Sequence, residues 1–273
     1  MNHNTVCKMI AKELEARLKS KDPIINDVIN EEVLRDISCK TIFDDYISNG
    51  GKTSYAETFS QEVPYSNLKI TITEGNFDNI KNIKLDSYAK LYSHAEAIEF
   101  KCNIDNNKNN KAALPERTGL LFNDLFRLYQ IYSHPFEHRY LIYLTDNKIE
   151  KYAQNYYDKR NKLFPLIAIL DADLTYNAGL DVEKIIITSD DLNKYSPCKT
   201  FVKAATKSFK HGKNLETVVQ RVAHESINNF KYNLDLYILE VFQNPKANYA
   251  KAHKGNLLTI SEAEGYFKTV ILE

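Results

Sequence analysis

Apolar residues recur every three to four positions at two places near the start of the chain. Val6, Met9, Ile10, Leu14 and Leu18 form one such series, and Ile25, Val28, Ile29, Val33, Leu34 and Ile37 form a second after Pro23. Each predicts an amphipathic helix. "SNGGKTSY" then breaks the pattern, and its Gly-Gly-Lys-Thr lacks the earlier glycine of a phosphate-binding loop, because that place holds Tyr46. From residue 67 the texture changes to alternation. "LKITIT" (68 to 73), "IKLDSYAKLY" (83 to 92) and "AEAIEFKC" (95 to 102) read as three successive strands. "GLLFNDLFRLYQIY" sets Leu121, Leu125, Leu128 and Tyr132 on one helical face, and "RYLIYLT" (139 to 145) reads as a buried strand. Further on, the pattern predicts a helix over 149 to 161, apolar "PLIAIL" and "KIIIT" segments, a helix near 215 to 230, and a strand over 234 to 242. The sum is an α/β fold, a central mixed β-sheet flanked by helices, in a single elaborated domain across residues 1 to 273.

Composition narrows the class. With 43% hydrophobic and 26% charged residues the chain is globular rather than disordered or fibrous. Lys plus Arg and Asp plus Glu both number 36, so attraction to a polyanion has to come from local patches. Cys7, Cys39, Cys102 and Cys198 contain no CxxC pair, which signals neither a zinc site nor a disulfide framework. No uninterrupted apolar run approaches the roughly 20 residues needed to span a bilayer, so the expected setting is the cytoplasm, with no membrane partner.

The chemistry concentrates in "AIEFK". On a strand, Glu99 and Lys101 point to one face while Ile98, Phe100 and Cys102 point to the other. Such a pair is either the solvated face of an edge hairpin or part of a site. Hydrolysing a phosphodiester needs a metal that activates water and neutralises developing charge, and Mg²⁺ takes oxygen ligands, often one or two carboxylates plus waters. Asp86 on the preceding strand and Glu99 supply two carboxylates, the Phe100 carbonyl is a third candidate ligand, and Lys101 orients or deprotonates the attacking water or stabilises charge. Glu74, Asp78 and Glu96 are alternative acids for the place of Asp86.

The order helix, three strands, helix, strand, with Asp86 in "IKLDSYAK" and Glu-x-Lys in "AIEFK", resembles the PD-(D/E)XK nuclease superfamily over residues 57 to 145. This chain has Leu85 where the family's first motif often has Pro. The resemblance implies a restriction-endonuclease-like core, catalytic residues Asp86, Glu99 and Lys101, Mg²⁺ or Mn²⁺ at Asp86 and Glu99, DNA as substrate and a role in restriction or anti-phage defence. Glu57, in "SYAETFSQE", is a further acid that the preceding helix would add. Cutting both strands usually takes two sites, so a homodimer follows from the resemblance rather than from any residue pattern.

Other features point elsewhere. "KTFVKAATKSFKHGK" places Lys199, Lys203, Lys207 and Lys210 on one helical face, either an ordinary solvated face or a sequence-independent contact to phosphates. "LIAILDADLTYN" is similar to the first motif of haloacid dehalogenase-type phosphatases, which would make Asp171 the nucleophile and Asp173 the acid/base; only 98 residues follow Thr175, too few for that fold's further βα units. His134 and His138 are spaced for a helical metal site, but Pro135 lies between them. A non-catalytic nucleic-acid-binding or interaction protein with the same fold is the remaining alternative.

Overall fold

The computed structural model describes residues 2–19, 29–65, 83–92, 94–104, 114–130, 136–146, 185–188, 199–209, 215–228 and 233–241. Seven strands, β1 (Phe59–Pro64), β2 (Lys84–Leu91), β3 (His94–Asn103), β4 (Phe136–Asp146), β5 (Ile185–Thr188), β6 (Glu216–Asn228) and β7 (Asn233–Val241), form one sheet in the order β1-β2-β3-β4-β7-β6-β5. Only β3 and β4 pair in parallel; every other neighbour is antiparallel. A parallel pair needs a crossover, and α4 (Leu114–Gln130) supplies it. This is the expected α/β architecture, a mixed sheet flanked by helices.

Two apolar layers cover the sheet. On one face, α4 and α5 (Lys199–Ala205) bring Leu121, Phe122, Leu125 and Phe201 onto Ala95, Ala97, Leu141 and Leu239. On the other, α1 (His3–Lys19) and α2 (Glu31–Ser48) bring Val6, Ile10, Leu34 and Ile42 onto Ile98, Phe100, Ile142 and Ile238. Helix α2 starts at Asn30, whose side chain accepts from the Val33 N–H at 2.9 Å, and Glu31 and Glu32 in its first turn complement the helix dipole. The turn after α2 passes through Gly50, where φ is +93°.

Several segments depart from the pattern-based reading. The first strand is β1, reached through a single turn, α3 (Tyr55–Thr58); the expected 68–73 strand lies outside the described residues, as do the 149–161 helix and "PLIAIL". The predicted helix near 215 to 230 is instead β6. Its β-branched run is hydrogen-bonded on both sides, to β5 and β7, and its register shifts between Arg221 and Ala223. That bulge changes which face is buried: Val219 packs under α4, whereas Ala223 and Ile227 pack with α1 and α2. The slip scrambles the period of two that would have revealed the strand. Cys7, Cys39 and Cys102 are free thiols, and burial pushes them to about 12, 11 and 12, so none is a ready nucleophile. No described helix is long and apolar enough to cross a membrane.

Candidate active site

The sheet splits where the acids lie. β2 pairs with β3 from Leu91↔His94 as far as Ser87↔Ile98, and then the ladder stops, although β2 continues beside β1 to Lys84 and β3 continues beside β4 to Asn103. Asp86 stands at the fork. Beyond it Leu85 packs under α4, whereas Ser87 meets Cys39 of α2 on the opposite face, so β2 rotates about Asp86. Opposite, Glu62 of β1 carries a left-handed φ of 52°, a conformation that costs a non-glycine residue of order 1 kcal/mol and is held here by ion pairs to Arg35 and Lys84. The rotation turns the Asp86 carboxylate toward β3, where Oδ2 accepts the Phe100 N–H at 2.8 Å in place of a backbone partner.

Glu99 and Lys101 follow on the face covered by α4. β3 is an interior strand and Glu99 is 2% exposed, so the solvated edge hairpin is not what forms. Glu99 Oε1 accepts from Arg127 Nη2 at 2.7 Å and from the Tyr65 hydroxyl at 3.3 Å. Its carboxyl also hydrogen-bonds that of Asp86. Lys101 Nζ lies 3.3 Å from Asp124 Oδ2 of α4 and 3.2 Å from Glu31 Oε2 at the start of α2. Arg127 Nη1 reaches Asp124 Oδ1 at 3.0 Å, one helical turn away.

Four carboxyls therefore face two fixed cations. Burial raises the proton affinity of Asp86, and raises that of Glu99 well above the carboxylate range despite Arg127. Lys101 is held more firmly protonated than usual, because Asp124 and Glu31 outweigh its own desolvation. In this arrangement Lys101 supplies charge and orientation rather than a base.

Two carboxyls in contact suit a hard cation placed between them. Among the described residues no group of three or more His, Cys, Asp or Glu side chains is arranged to hold a metal ion. Mg²⁺ fits that restriction, since it is often bound through one or two carboxylates with water and phosphate oxygens completing its shell. Asp86 and Glu99 are the residues that would hold it.

The sequence-predicted residues Asp86, Glu99 and Lys101 are thus brought together, while other candidates are not. The acid added by a preceding helix is Glu31, not Glu57; Glu57 is exposed and closes a capping box with Ser54. Glu96 lies on the opposite face of the sheet from Glu99, beside His94, so it is no substitute for Asp86. Glu74, Asp78, Asp171, Asp173 and His134 lie outside the described residues. His138 is on strand β4 rather than a helix and bonds Glu240 at 2.8 Å. Asp124 and Arg127 were missed, although Asp124 falls inside the Leu121/Leu125/Leu128 stripe, where a charge has to find a buried partner.

The basic stripe is shorter than its spacing implied. The helix ends at Ala205, leaving Lys207 in the following turn, and Lys210 lies outside the described residues. Lys199, Lys203 and Lys207 are exposed. The segment is fastened to α4 by Phe201 against Phe122 and by the Ser208 N–H donating to Asn123 Oδ1 at 3.0 Å, directly beside Asp124 in sequence. Comparison with family models, curated proteins and solved structures finds no match, so the chemistry rests on this geometry alone.

Proposed function

We propose that the chain is a metal-dependent nuclease of the PD-(D/E)XK type that hydrolyses phosphodiester bonds in DNA. The observation that carries the reading is the contact between Asp86 and Glu99 at the fork of β2 and β3, with Lys101 two residues along the same strand. Bound Mg²⁺ or Mn²⁺ would supply charge neutralisation and an activated water. Asp86 and Glu99 hold the ion, and the backbone bond from Phe100 fixes the Asp86 carboxylate. Lys101, steered by Asp124 and Glu31, aligns the water and offsets charge growing on the phosphate. Lys199, Lys203 and Lys207 offer sequence-independent contacts to the DNA backbone. A homodimer would pair two such sites for cutting both strands, and a cytoplasmic defence role is in keeping with that activity.

One observation favours a second reading, a nucleic-acid-binding protein without catalysis: the Arg127 guanidinium already neutralises Glu99. The two are separated by cleavage of supercoiled plasmid and single-stranded DNA with Mg²⁺ or Mn²⁺, wild type beside Lys101→Ala and Glu99→Ala. Metal-dependent cutting that falls at least about a hundredfold in both variants is expected of the nuclease. DNA binding without cutting by wild type selects the second reading.

A further inference from the structure

Arg127 is bonded to one of the two Glu99 carboxylate oxygens that a cation at this site would use. Oε1 of Glu99 already accepts two donors, Arg127 Nη2 at 2.7 Å and the Tyr65 hydroxyl at 3.3 Å, and a carboxylate oxygen has two lone pairs. A metal ion can therefore take Oε1 only if one donor leaves. Tyr65 is fixed, being 1% exposed in the core under α4. Arg127 is held as well, Nη2 donating also to the Lys84 carbonyl and the guanidinium lying over the Tyr65 ring, so its displacement has to release the Lys84 bond too. Yet its Nε is buried with no hydrogen-bond partner among the described residues, so the guanidinium is incompletely satisfied by them. Its ion pair to Asp124 is made within α4, which leaves it tethered if the bond to Glu99 opens. Its stem has rotamers to use, and its side chain is 14% exposed.

We propose that Arg127 is a cation-sensitive latch, resting on the metal-dependent reading above: its guanidinium competes with a divalent ion for Glu99 Oε1 and, once displaced, pivots on Asp124 to engage a phosphate oxygen of the substrate. The metal-free site is then held inactive by its own arginine. Occupation of the metal position and binding of phosphate become coupled, because both require the same opening of the Arg127–Glu99 pair. Arginine suits the second half of that cycle, since its planar fork matches phosphate oxygens.

The test is calorimetric titration of Mn²⁺ alone, without DNA, into wild type, Arg127→Gln, Arg127→Lys and Glu99→Gln, each checked for native circular dichroism. Removing the competitor tightens Mn²⁺ binding of Arg127→Gln about tenfold or more, within the usual range of coupling between sites. Arg127→Lys, which keeps the charge with fewer directed donors, falls between. At saturating Mn²⁺, Arg127→Gln cleaves plasmid about a hundredfold more slowly than wild type, as expected when a charge-stabilising donor is lost. Equal Mn²⁺ affinity in wild type and both Arg127 variants, with binding abolished in Glu99→Gln, overturns the latch and leaves the metal site standing. Binding by none of the proteins removes the metal-dependent reading itself, and undiminished cleavage by Arg127→Gln removes the phosphate role.

Discussion

A buried acid on the face of the sheet opposite Glu99 makes the stability of this protein depend on pH in an unusual direction. Glu96 is 0% exposed, and neither of its carboxyl oxygens has a hydrogen-bond partner among the described residues. Its neighbours are His94, whose Nε2 is 3.5 Å from Oε1, then His138, Glu240, Tyr140 and Asp45. Burial, opposed by His138, raises its pKa from 4.5 to about 7. The folded chain thus binds this proton more tightly than the unfolded chain does. The resulting stability is fully present below pH 4.5 and is lost as pH rises through about 7. At about 1.4 kcal/mol for each tenfold change in proton affinity, the loss is roughly 3 kcal/mol, a large share of the 5–15 kcal/mol that holds a typical domain. Glu96→Gln removes the titration while keeping the shape. Denaturant unfolding at pH 5, 6, 7 and 8 should show wild type losing roughly 2.5 kcal/mol more than the variant across that interval. His138, raised chiefly by Glu240 and also by Glu96, loses stability in the same direction in both proteins, so most of its contribution cancels in the difference. Parallel pH profiles for the two proteins would refute the reasoning.

Two further outcomes are expected. Asp86→Asn keeps an acceptor for the Phe100 N–H but removes a buried charge from beside Glu99 and Asp124, so the variant should be more stable by about 1 kcal/mol at pH 8 while cleavage is lost; a lower melting temperature counts against the electrostatic account. Gly119→Ala would place a methyl carbon against the Phe201 carbonyl and 2.7 Å from Ala204 Cβ, wedging α4 from α5 at a cost of about 2 kcal/mol, read as a lower urea midpoint; an unchanged midpoint shows that the seam can relax.

Periodicity served well where a segment is amphipathic in one consistent sense. α1, the Val33–Ile37 end of the second helical series, α4, β2, β3, β4 and β7 all present a regular buried stripe or a continuous apolar run, and each is legible residue by residue. β6 was read as a helix because a bulge moves its buried face halfway along, so the alternation that defines a strand is present only in two short pieces. β1 follows a single helical turn with exposed Ser60, Gln61 and Glu62, which leaves little apolar pattern to detect.

The same distinction runs through the site. The sequence by itself determined that Asp86, Glu99 and Lys101 lie on successive strands, because local alternation and residue chemistry suffice for that. Tertiary structure alone decided that β2 turns away from β3 at Asp86, that α4 swings Asp124 and Arg127 over the opening, and that Glu31 arrives from a helix 70 residues away from Lys101 in the chain. These are long-range facts. A charge on a helix has no preferred partner until the sheet register and the helix seat bring one within about 4 Å, and in the low-dielectric interior that partner sets whether each group carries charge and how strongly it resists giving it up.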